Sequence, residues 1–115
     1  MGIIIISTYP DRKSISKIAN VVVNRKLAAC VNYTKVNSVY TWNGKLERTE
    51  EFMALFKTTK KAKQALGEEI AKSHPYQVPE IVELRMDSVN ALYLDWLEDS
   101  TERRKSKKRN NSTKS

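Results

Sequence analysis

The densest chemistry in the chain lies in His74-Pro75-Tyr76-Gln77-Val78-Pro79-Glu80. Two prolines four residues apart stiffen a short connector that carries an imidazole, a phenol and a carboxylate. His74 is the only histidine. Its unperturbed pKa is the nearest to neutrality of any side chain, so it can act as a metal ligand or proton carrier. The same ring can instead close a helix end through its charge. Cys30, the only cysteine, is the second candidate. As a thiolate it suits a soft ion such as Cu(I) or Zn(II), and as a buried thiol it is a small hydrophobe. Cys30 and His74 make two ligands where a closed zinc site takes four, so only an intersubunit or low-affinity site can be built from them. Glu47, Glu50 and Glu51 can pair with Lys57 or Arg48 in a cleft, or form the solvated face of a hairpin. Nucleophile elbows, metalloprotease patterns and Gly-rich phosphate loops are missing from the sequence. No enzymatic chemistry is visible, and nothing calls for an organic cofactor.

These residues need elements to position them. Ile3 to Ser7 reads as a buried central strand entering a loop, and Asp11 can cap a helix over residues 12 to 26 with Ile15, Ile18 and Val22 on its core face. Ala29 to Trp42 reads as a long strand or bent pair of strands, with a bulge or bend expected near Lys35 to Ser38. Asn43-Gly44 is a strong hairpin signal, because both turn residues tolerate positive φ. The return strand starts at Lys45, and Phe52 to Phe56 reads as a further buried strand. Thr58-Thr59 offers a cap to a helix over residues 60 to 73, which His74-Pro75 ends. Ile81 to Met86 is the fourth strand, and Asn90 caps a last helix.

The order βαββαβ plus a C-terminal helix is the ferredoxin-like α+β split, here with a long β-hairpin. Right-handed crossovers then set both main helices on one face of a four-stranded sheet. The other face is too apolar to stand in water, so oligomerisation through that face and the hairpin is expected.

The chain has 115 residues and a formal charge of +8. The segment Arg103 to Ser115 holds seven basic residues and no acid, which leaves residues 1–102 with 14 basic against 13 acidic side chains. The expected organisation is therefore one domain over residues 1–102 and a basic tail over 103–115 lacking the apolar residues to pack. Arg103, Arg104, Lys105, Lys107, Lys108 and Arg109 give that tail a sequence-independent attraction for nucleic acid or an anionic membrane surface. One cysteine is compatible with a reducing cytoplasm. The opening apolar run is too short for a signal peptide or a membrane span, so a cytoplasmic protein is expected.

Five strings carry a closer likeness: Leu27-Ala28-Ala29-Cys30-Val31-Asn32; Tyr40-x-Trp42-x-Gly44; Glu50-Glu51 ahead of Phe56-Lys57-Thr58-Thr59; His74-Pro75-Tyr76-x-Val78-Pro79-Glu80-Ile81; and Tyr93-Leu94-x-Trp96. In this order, over roughly residues 3 to 100, the sequence resembles the CutA divalent-cation-tolerance family. The resemblance implies a ferredoxin-like protomer in a homotrimer similar to PII signalling proteins, acting in tolerance to copper and other divalent ions. It implies Cys30 and His74 as metal contacts, for weakly bound copper or another divalent ion. Tyr40, Trp42, Glu50, Lys57, Tyr76 and Glu80 match positions that line or support intersubunit clefts. The first loop, Ser7 to Arg12, departs mildly from the family pattern, and the basic tail extends beyond it. Two other functions are kept open: a PII-like module that binds a small anionic ligand at those clefts and engages another protein, and nucleic-acid binding through the tail alone.

Overall fold

The computed structural model describes residues 1–102, so the basic tail lies outside the described residues. Seven elements follow one another: β1 (Gly2–Tyr9), α1 (Arg12–Asn24), β2 (Cys30–Trp42), β3 (Lys45–Thr59), α2 (Lys63–Ser73), β4 (Val82–Arg85) and α3 (Ala91–Ser100). The strands form one antiparallel sheet in the order β2-β3-β1-β4, which puts the isoleucine-rich β1 inside it. This is the expected βαββαβ order with the extra terminal helix.

Side chains alternate along β1. Ile3, Ile5, Ser7 and Tyr9 are buried, and Ile4, Ile6 and Thr8 are half-buried. The first set joins Ile15, Ile18 and Val22 of α1 and Leu66 and Ile70 of α2 in the main core, so both helices cover one face. Asp11 caps α1 by accepting from the Ser14 amide at 2.8 Å, and Asn90 caps α3 by accepting from the Tyr93 amide at 2.8 Å. At the end of α1, Lys26 takes φ 62° and lets the Leu27 amide reach the Val22 carbonyl at 2.8 Å. That turn drops Leu27 into the core and delivers Cys30 to the start of β2.

Three details differ from the sequence reading. β2 runs from Cys30 to Trp42 without a bulge, in unbroken register from Cys30↔Lys57 to Trp42↔Lys45. The polar stretch at Lys35 to Ser38 needs no break, because ladder hydrogen bonds and not core packing hold that part of the hairpin. Lys45 to Thr59 is likewise one strand, whose far end is held by pairing with β1 down to Gly2↔Thr59. Thr58 and Thr59 therefore stay in the sheet and cap nothing. The Thr58 hydroxyl donates to the Leu27 carbonyl at 2.7 Å, Thr59 and Thr101 hydroxyls meet at 3.0 Å, and α2 starts at Lys63 without a side-chain cap.

Asn43 (φ 53°) and Gly44 (φ 77°) make the two-residue turn of the hairpin. Opposite the two helices, Ile4, Ile6, Met53 and Leu55 are only half-buried, and Val82 and Leu84 are 42% and 47% exposed. α3 covers only the end of this face, where Leu97 lies beside Gly2.

Candidate functional site

The connector after α2 folds back against β1. His74 stacks on Tyr9 with ring centroids 4.3 Å apart, and its Nε2 lies 3.2 Å from the Ser7 hydroxyl. The Tyr76 amide donates to His74 Nδ1 at 3.1 Å. An Nδ1 that accepts places the ring proton of neutral imidazole on Nε2, so neither nitrogen keeps a free lone pair. Burial pulls the His74 pKa below its ordinary value of 6.5, against an opposing hydrogen bond with the Thr8 backbone. The helix-closing role expected of a charged His74 is therefore not how the ring works. It is a packed, neutral-leaning prop between Tyr9 and Tyr76.

The Ser7–His74 pair also has the wrong polarity for nucleophile activation, which needs Nε2 to accept the hydroxyl proton. Ser7 is fully buried besides. Beside it, burial pushes the Tyr9 hydroxyl up to about 12, with the Ser7 hydroxyl partly offsetting the effect.

From this prop the chain reaches across to the hairpin. The Tyr76 hydroxyl donates to Glu51 Oε1 at 3.0 Å, and burial, followed by the Glu51 hydrogen bond and charge, raises the Tyr76 pKa well above the usual phenol value. Together the connector and hairpin flank an open cleft of about 680 Å³ whose lining includes Tyr40, Trp42, Glu51, Met53, Tyr76 and Glu80. No lysine or arginine is among the lining residues, so this lining has the wrong sign for an anionic ligand.

Four expected cleft residues, Tyr40, Trp42, Tyr76 and Glu80, thus come together. Glu50 does not line the cavity. It sits opposite Asn37 on the other side of the hairpin and approaches Lys35 at 3.9 Å. Glu51 takes its place. The two-residue turn makes this legible: Trp42↔Lys45 pairing puts odd-numbered β3 residues on the Trp42 side. Lys57 also lies away from the cavity, directly across from Cys30 and Ile4.

That register separates the two candidate metal ligands. Cys30 shares a sheet face with Lys57 and Ile4, whereas His74 contacts Ser7 and Tyr9, which project on the helix side. Cys30 is half-buried, with its thiol 3.6 Å from Asn32 Oδ1. No group of three or more His, Cys, Asp or Glu side chains with metal-site geometry occurs among the described residues. The described residues of one chain therefore do not fit a metal centre.

The sequence model of the CutA1 divalent ion tolerance protein family matches residues 3–100. The chain is similar to the divalent-cation tolerance protein CutA of Thermotoga maritima, at 35% identity over 85% of this chain and 97% of that protein. It is similar also to the divalent-cation tolerance protein CutA of Pyrococcus horikoshii, at 37% identity over 88% of this chain and 99% of the relative. Among solved structures, the protein described as the periplasmic divalent cation tolerance protein CutA of Archaeoglobus fulgidus superposes with a TM-score of 0.85. It is 30% identical, over 89% of this chain and all of that one. A match through every element of the fold, joined to the hairpin and connector that build the cleft, establishes the chain as a member of the CutA1 divalent ion tolerance family.

Proposed function

We propose that this protein acts in the tolerance of divalent metal ions as a homotrimeric, non-enzymatic binding protein of the cytoplasm. Family membership across residues 3–100 is the observation that carries the reading. The helix-free sheet face supports the assembly: Ile4, Ile6, Leu55, Val82 and Leu84 form an apolar surface that a partner protomer would remove from water. The reversed polarity of the part-buried Ser7–His74 pair supports a role without catalysis. A free, half-buried Cys30 is compatible with a reducing compartment.

Copper contact, on this reading, is weak and made by the Cys30 thiolate, with further ligands drawn from other protomers or solvent. His74 supports the cleft wall and contributes no ligand, since binding would cost it the Tyr76 amide bond. Titrating Cu(I) into the full chain, Cys30→Ala and His74→Ala separates these roles. Affinity should fall in Cys30→Ala and persist in His74→Ala; unchanged affinity in Cys30→Ala removes the thiol from the site, and loss in a folded His74→Ala reinstates the imidazole.

The small-ligand alternative is favoured by one observation, the cavity itself. Its two carboxylates, Glu51 and Glu80, speak for a ligand of positive charge.

A further inference from the structure

The nature of that ligand rests on reading the cleft as a binding site. Glu51 is only 8% exposed. Its Oε1 accepts from the Tyr76 hydroxyl, and among the described residues it forms no ion pair. Its second oxygen stays reachable from the cleft, and a positive group brought there would complete the pairing of a largely buried carboxylate. Glu80 lies in the same lining and adds to the negative potential.

The remaining walls are aromatic and apolar, from Tyr40, Trp42, Tyr76 and Met53. Indole and phenol rings attract cations through their faces and also bury hydrocarbon. A bare divalent ion is a poor match, because a hard cation takes about six or more oxygen ligands and two carboxylates leave most of its shell to water. A cleft of about 680 Å³ instead has room for a small organic molecule.

We propose that the cleft binds an organic cation, a primary ammonium or guanidinium carried on an apolar body. Glu51 receives the charge, Glu80 reinforces it, and Tyr40 and Trp42 cover the body. Tyr76 acts as a positioning residue that holds Glu51 in place.

Calorimetric titration of the full-length protein tests this with phenethylammonium and agmatine as cations, phenethyl alcohol as the neutral counterpart and 3-phenylpropionate as the anion. Both cations should bind more tightly than the alcohol, and the anion should not bind. Glu51→Gln keeps an acceptor for Tyr76 and removes the charge, so it should weaken the cations by about tenfold or more and leave the alcohol unaffected. Added salt should weaken phenethylammonium and spare the alcohol, a comparison that holds even where the variant folds poorly. The proposal is overturned by an anion that binds as well as a cation, by unchanged cation affinity in folded Glu51→Gln, or by failure of every probe to bind. The last result is what a lysine or arginine of a second copy filling the cleft would produce, and a changed sedimentation coefficient in Glu51→Gln would identify that occupant. Rescue of a copper-sensitive CutA-deficient bacterial strain is scored separately. Cation binding without rescue removes the tolerance role and keeps the cleft, whereas rescue without cation binding does the reverse.

Discussion

His74 shows how a residue type can mislead about role. A lone histidine next to a proline-bracketed turn invites a metal or a proton, yet its ring is stacked on Tyr9 and bonded at both nitrogens. The burial that lowers its pKa couples it to stability. The unfolded chain titrates near the ordinary 6.5 and the folded chain lower, so on acidification the unfolded state takes up the proton first. This contribution is present above pH 6.5 and is lost as the pH falls from there through the folded value. Urea unfolding between about pH 7.5 and pH 5 should therefore show an acid-side loss of stability that His74→Gln diminishes; parallel profiles would mean the ring is not desolvated as described. The sequence revealed that His74, Tyr76 and Glu80 belong to one stiff segment. The Glu51 contact was legible only by carrying the register of the Asn43-Gly44 turn down the hairpin, because it depends on which side of a distant strand a carboxylate faces. Glu50 and Glu51 are neighbours of the same type, and only the pairing Val36↔Glu51 sends one into the cleft.

Elements with local signals were readable at once. Asp11 and Asn90 cap helices with their own side chains, and Asn43-Gly44 turns the hairpin with two positive φ values. Boundaries set by distant partners were not. β3 extends to Thr59 because Gly2 pairs there, and that pairing delays the start of α2. The α1–β2 turn is a mixed case, since Lys26 adopts a left-handed conformation that its Cβ disfavours. Glycine removes that conflict, so Lys26→Gly should raise unfolding stability by about 1 kcal/mol in urea titration. A loss of stability would show that the lysine side chain contributes more than its backbone strain costs.

At the scale of the whole molecule, one apolar surface is covered by helices and the other is left half-exposed. The sequence anticipated this, since Ile3 to Ile6 is apolar on both sides of the strand. Leu84, on the short strand β4 and 47% exposed, tests the second face with little disturbance to the first. Leu84→Glu should keep the helical and strand content of the protein and sediment as a smaller species than the parent at equal concentration; an unchanged sedimentation coefficient would place the assembly surface elsewhere.

The position of β1 inside the sheet also constrains how the chain can be made. Ile5 pairs with Phe56 on one side and Glu83 on the other. Both partners are translated after it. β1 therefore cannot begin a ladder until the hairpin has emerged, nor complete its second until β4 follows. At about 5–20 residues per second, its isoleucines spend seconds without strand partners, shielded only by α1 and whatever meets the nascent chain.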